Sequence, residues 1–234
     1  ALNMSSPGPA RRGCDDTSAA GKHYDQYPVM IGNPRARRFL ATARGKTIAI
    51  MGGSFNPAHK GHLDVAVYAL GKLRVSEVWW MVSPQNPLKT KDGMAPFAER
   101  MASAERIARH HSRIRVTDIE ALLGTQFTAD TLCSLVVNVR DARFIWIMGA
   151  DNLASFHHWT EWQQILNSVV IAVFDRPSYS LKSLSGRAAR RFARKRIRER
   201  SGALLRNRRA PAWVFFHTPL NPLSATRIRH GAGQ

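Results

Sequence analysis

Apolar residues fall along this chain in short dense runs, separated by longer stretches in which they recur every three or four positions. Thr47–Met51, Glu77–Val82, Phe144–Met148, Val169–Phe174 and Trp213–Phe216 are apolar at nearly every position, as expected of parallel strands covered on both faces. Ile114–Thr117 is a shorter run of the same kind. Residues 61–73 carry Leu63, Val67, Leu70 and Leu73 at helical spacing toward a sheet. Phe97–Arg109, Thr128–Val137 and Trp159–Leu166 are further helical segments, and Ser224-Ala225-Thr226 is a fitting cap for a last helix. Ala189, Ala193 and Ile197, with Phe192 beside them, predict a helix with an apolar seam and a basic face. Strand alternating with helix, joined by right-handed crossovers, predicts an α/β doubly wound parallel sheet. Residues 1–45 show no sustained period, so they are expected as a flexible N-terminal extension of a single domain spanning 46–234, with Phe39 and Leu40 able to pack locally.

With 234 residues, 44% of them hydrophobic, the chain suffices for one sizeable domain. Cys14 and Cys133 lie far apart with no C-x-x-C, which suggests neither a disulfide framework nor a zinc site and fits a reducing compartment. No apolar run of membrane-spanning length and no secretory leader pattern is present, so a soluble, cytoplasmic protein without a membrane partner is expected. The formal charge of +19 is unevenly spread: residues 186–209 hold eleven Lys or Arg and one acidic residue, Glu199. Such a field speeds the arrival of anionic substrates and also attracts nucleic acid without specificity. Three uses of this stretch stay open, namely a solvated face, a homo-oligomer contact and a nucleic-acid patch. The first, with some interface use, is the default, and no specific nucleic-acid partner is expected.

The chemistry concentrates at Ile48–His62, where an apolar run meets Gly52-Gly53 and then His59-Lys60-Gly61-His62 at a helix start. Glycine tolerates positive φ and lets the backbone approach a ligand, while a helix N-terminus offers unpaired N–H groups and partial positive charge. Phosphate is the predicted ligand. The spacing of a P-loop is absent, and Gly45-Lys46-Thr47 only imitates its tail, because Leu40 stands where the earlier glycine is needed. Zinc is the competing reading for His59 and His62, but no partner group of Cys, Asp or Glu accompanies them. Phosphate nearby would favour protonated imidazoles that donate from both nitrogens.

The stretch Gly52–His62 matches the G-G-[ST]-F-x-P-x-H-x-G-H signature of the nucleotidylyltransferase superfamily. The ordered set that follows, Phe127–Leu132, Met148–Leu153, Phe156–Trp159, Arg176–Tyr179 and Leu223–Arg229, resembles bacterial nicotinate-nucleotide adenylyltransferases. That resemblance implies a Rossmann-like fold, ATP and nicotinate mononucleotide as substrates, and Mg²⁺ arriving with ATP. It implies His59 and His62 as catalytic stabilisers, His62 the stronger, and an ATP site drawing also on Gly52, Gly53, Ser54, Phe55, Asp151, Ser224, Thr226 and Arg229. For the pyridine nucleotide it points to Trp159 as a surface for the ring, to Thr128 and backbone N–H groups near Thr160 as donors to its carboxylate, and to Asn86 for its phosphate. Lys89 and Asn56 complete the expected substrate contacts. Two positions depart from the family pattern: Ala225 replaces a serine and Asn56 a common aspartate. Transfer to another phosphate acceptor, such as phosphopantetheine, is the alternative within the same fold.

Overall fold

A computed structural model describes residues 32–84, 93–176 and 179–217. Its strands are β1 (Thr47–Gly53), β2 (Glu77–Val82), β3 (Ile114–Thr117), β4 (Arg143–Gly149), β5 (Val170–Phe174), β6 (Arg196–Ile197) and β7 (Trp213–Phe216). They form one seven-stranded sheet in the order β3-β2-β1-β4-β5-β7-β6, with every pairing parallel. Alternate residues of the central strands feed two cores. Ile48, Ile50, Trp79 and Trp146 point to one face, and Ala49, Met51, Trp80 and Ile147 to the other. That period-two division explains why the strands are apolar throughout.

The helices are α1 (Pro34–Ala41), α2 (Lys60–Leu73), α3 (Phe97–Ala108), α4 (Ile119–Leu123), α5 (Thr128–Asn138), α6 (Ala150–Ser155), α7 (Trp162–Ser168), α8 (Ser180–Leu184) and α9 (Arg187–Arg191). The strand order reverses between β1 and β4, and open sheets of this kind bind ligands beyond the carboxyl ends of their strands at such a point. Those ends are Gly53 and Gly149.

Helix α1 corrects the expected domain boundary, because ordered structure begins before residue 46. Asn33 caps it by accepting from the N–H groups of Arg35 at 2.9 Å and Ala36 at 3.3 Å, with Pro34 in the first turn. Ala36, Leu40 and Ala43 are fully or almost fully buried, and Phe39 packs on Trp79 at 4.5 Å between ring centroids. Residues 1–31 lie outside the described residues.

Three other expectations are revised. In α2 Leu73 is buried as expected and Leu63 and Leu70 pack against the core, but Val67 is exposed, and the other buried positions are the small residues Gly61, Ala66 and Ala69, which let the helix lie close to the sheet. Trp159 is not helical, because a 3₁₀ turn over Phe156–His158 intervenes and α7 starts at Trp162. The basic stretch is not one helix. It divides into α9, a 3₁₀ turn at Ala193–Lys195, the edge strand β6 and a 3₁₀ segment over Glu199–Asn207. Ala188, Ala189, Phe192 and Leu205 anchor it, Ile197 sits in β6, and Ala193 is exposed. The Phe192 carbonyl accepts from Trp213 Nε1 at 2.8 Å. Among the described residues no helix is long and apolar enough to cross a membrane.

Candidate active site

Strand β1 runs into the loop Ser54–Ala58 and then α2. Gly52 is required for space, since a Cβ there would collide with Cη2 of Trp146. The left-handed residue of the loop is neither glycine but Phe55, at φ 46. Phe55 is 2% exposed and is held between Trp80 and His62, at 5.2 and 4.8 Å between centroids. Packing of the aromatic ring therefore secures a backbone conformation that glycine was expected to supply.

His59 is the N-cap of α2 and His62 lies in its first turn. The N–H of Gly61 donates to His59 Nδ1 at 3.1 Å, and the N–H of His59 donates to His62 Nδ1 at 3.2 Å. This reciprocal cap satisfies donors that a helix start leaves unpaired. It also fixes both tautomers: an Nδ1 that accepts carries no proton, so each neutral ring keeps its N–H at Nε2. The rings lie in contact, tilted by 43° with centroids 3.8 Å apart. With Nδ1 so engaged, each ring has Nε2 as its remaining donor, one nitrogen where two were expected. For His59 the cause is physical as well as geometric, because burial first and the Arg176 charge second push its pKa down from 6.5 to about 4.

This depressed pKa carries a stability cost on the acid side. The unfolded chain takes up a proton near pH 6.5 and folded His59 only near pH 4, so stability falls as the pH drops through that window, by about 3 kcal/mol at most. His59→Asn keeps a capping acceptor and is expected to flatten that slope in urea unfolding between pH 7 and 4. Equal slopes for the two proteins would remove His59 as the cause.

Asn56 has a different task from the expected substrate contact. It is buried, its Nδ2 donates to the Gly93 carbonyl at 2.9 Å and its Oδ1 accepts from the Ala95 N–H at 3.1 Å. Both ends of the amide tether the segment before α3. Arg100, which the sequence did not single out, is 2% exposed. Its Nη1 donates to the carbonyls of Ser54 and Ser83, its Nη2 to that of Pro84, all at 2.7 Å, and its Nε to that of Ala95 at 3.0 Å. One guanidinium thereby clamps the segments leaving β1 and β2 to the start of α3.

Next to this loop a cleft of about 150 Å³ is lined by Gly52, Gly53, Ser54, Ser83, Glu120, Phe127, Thr128, Trp146, Trp159 and Thr160, among others. That is room for about five waters, enough for a ring-sized ligand. Trp159 stands edge-on to Trp146 and Phe156 at 6.4 and 5.3 Å. The structure thus gathers Trp159, Thr128 and Thr160 with Gly52, Gly53 and Ser54. Glu120, missing from the sequence-based set, is 3% exposed, and burial raises its pKa to about 7 against a hydrogen bond from the Ser83 hydroxyl that lowers it.

Asp151 opens α6 directly after Gly149. Its Oδ1 is buried without a hydrogen-bond partner among the described residues and lies 3.4 Å from Arg176 Nε, while the Arg176 charge reaches His59. A Cβ at Gly149 would collide with both Asp151 and Arg176. Asn86, Lys89, Ser224, Ala225, Thr226 and Arg229 lie outside the described residues. Among the described residues no three His, Cys, Asp or Glu converge on a metal position.

Residues 50–231 match the family described as cytidylyltransferase-like. A "Probable nicotinate-nucleotide adenylyltransferase" of Rhizobium johnstonii is 48% identical over 189 residues, which cover 81% of this chain and 94% of the relative. A protein of the same name from Parvibaculum lavamentivorans is 48% identical over 198 residues, covering 85% and 98%. Among solved structures, Plasmodium falciparum nicotinic acid mononucleotide adenylyltransferase complexed with NaAD superposes with a TM-score of 0.59. It is 18% identical and is matched over 79% of this chain and 83% of that one, a likeness of fold.

Proposed function

The chain belongs to the cytidylyltransferase-like family, as a nicotinate-nucleotide adenylyltransferase, and on that premise we propose how its site works. It joins nicotinate mononucleotide to the AMP moiety of ATP, giving nicotinate adenine dinucleotide and pyrophosphate. A phosphate oxygen of the mononucleotide forms a bond to the α-phosphorus as the bond from that phosphorus to the bridging oxygen breaks, and pyrophosphate leaves with the electron pair. A phosphate monoester has its second pKa near about 6, so the nucleophile is already ionised and needs no strong base. Holding anions together and stabilising the charge that grows on the non-bridging and leaving oxygens is the difficult part.

One observation carries the assignment of roles: the mutual cap that fixes the rings of His59 and His62 at the start of α2. It leaves each imidazole N–H at Nε2, the donor we assign to the ATP phosphates, and the N-terminus of α2 adds partial positive charge. Gly52, Gly53, Ser54 and Phe55 bring backbone to the same anion, and the Oδ1 of Asp151, which accepts no hydrogen bond among the described residues, suits a ribose hydroxyl. Ser224, Thr226 and Arg229 are proposed to complete the triphosphate site, and Asn86 and Lys89 to face the acceptor's phosphate. The cleft takes the pyridine ring against Trp159, with Thr128 and the backbone near Thr160 toward its carboxylate. Mg²⁺ is proposed to come with the triphosphate and to keep waters, since the described residues offer no carboxylate cage. A cytoplasmic setting belongs to the same proposal.

A panel of equimolar acceptors assayed for pyrophosphate release tests the substrate assignment. Nicotinate mononucleotide is expected to outpace nicotinamide mononucleotide and phosphopantetheine, and a reversed order would refute it.

A further inference from the structure

We infer that Glu120 reads the ring substituent of the acceptor nucleotide, its carboxyl group carrying a proton and donating it in a hydrogen bond to the nicotinate carboxylate. The inference rests on the pyridine pocket proposed above and adds the residue that discriminates within it.

The cleft is assigned to an anionic ring, yet none of its lining side chains among the described residues is basic. Among the described residues its polar walls are hydroxyls, amides and backbone, with Glu120 as the one ionisable group. An ionised carboxylate there would repel a nicotinate carboxylate across a poorly solvated gap, where such repulsion is only weakly screened. A protonated one is a donor of strength suited to an anionic acceptor. The geometry favours the second state. Glu120 is buried in the short helix α4, and its Oε2 has no hydrogen-bond partner among the described residues, whereas the Ser83 hydroxyl engages the same carboxyl group.

The elements packed on α4 leave this balance to burial. Helix α1 carries Arg35, Arg37 and Arg38, of which Arg35 pairs with Asp118 at 3.2 Å. Strand β2 carries Glu77, held by Lys46 and Arg115, with Arg115 on β3, and α5 carries Asp130 in its first turn. None of these charges contributes to the rise of the carboxyl group's pKa to about 7, which desolvation produces. The group therefore changes state near neutrality. Protonated, it favours the acid substituent; ionised, it accepts from the N–H₂ of a carboxamide and favours the amide.

The test compares kcat/KM for nicotinate mononucleotide with kcat/KM for nicotinamide mononucleotide from pH 6 to 9. Both acceptors carry the same phosphate, so its titration cancels in the ratio, and the ratio reports the free enzyme. For the wild-type chain the acid-to-amide ratio is expected to fall roughly tenfold per pH unit above the carboxyl pKa. Glu120→Gln keeps a neutral donor and should make the ratio independent of pH. Ser83→Ala removes a hydrogen bond that favours the ionised form, so the midpoint should move to higher pH. A wild-type ratio that stays constant, a Glu120→Gln ratio that still falls, or an unmoved midpoint in Ser83→Ala would overturn the inference. The last result decides the matter even where Glu120→Gln fails to fold. A wild-type chain that transfers adenylyl to neither pyridine nucleotide would instead refute the pocket itself, which separates the two failures.

Discussion

His62→Gln is expected to lower kcat by roughly 10²–10³-fold, the size of effect found when one fixed donor to a developing oxyanion is removed. Glutamine is chosen over alanine for a structural reason. His62 closes the cap of α2 by accepting the His59 N–H, and a glutamine three residues after the N-cap reaches back in the same way. The variant should therefore unfold within about 1 kcal/mol of the parent while losing turnover at saturating ATP and acceptor. Pyrophosphate release measured beside urea unfolding separates the two quantities. Turnover within threefold of the parent would remove His62 from the chemistry, and an equal loss in stability would make it a cap and nothing more.

Arg100→Met is expected to cost at least about 3 kcal/mol of stability and to raise KM for both substrates. Four carbonyls lose their donor at once, and each buried acceptor left alone costs about 1–3 kcal/mol before the structure relaxes. Three of those carbonyls belong to the segments that leave β1 and β2, so their release loosens Ser54 and Ser83 where they line the cleft. Arg100→Lys should recover only part of the loss, because an ammonium on a flexible stem cannot hold acceptors spread around a planar fork. Urea midpoints and the two KM values check this. A loss below about 1 kcal/mol would show that the loops do not depend on the clamp.

What could be foreseen follows from the range of the forces involved. Strands β1, β2, β4, β5 and β7 were legible because burial on both faces leaves them almost no polar residue. Their parallel pairing was foreseeable from their alternation with helices, whereas their order in the sheet was not. The paired histidines were legible because they share one helix turn. Glu120 and Arg100 were not, since a polar side chain in an amphipathic segment declares its burial only through distant partners. Arg100 meets Ser54 across 46 positions of sequence. Helix α1 was hidden by its arginines, which mask the short stripe of Ala36, Phe39 and Leu40. The basic stretch misled for the opposite reason: Ala189, Ala193 and Ile197 keep a helical period, but Arg196 and Ile197 instead pair with β7 as an edge strand. Asn56 looked like a ligand contact because it stands inside the glycine–histidine signature, and only the tertiary fold shows its amide occupied at both ends.

Arg100 grips main chain and not side chains, so the identities of residues 54, 83, 84 and 95 matter little to it while their spacing matters greatly. Substitutions at positions 54 and 83, which line the cleft, would alter its walls and retune its selectivity with the scaffold undisturbed. A single insertion or deletion among them would shift an anchor out of register, so this rim of the enzyme is open to changes of letter and closed to changes of length.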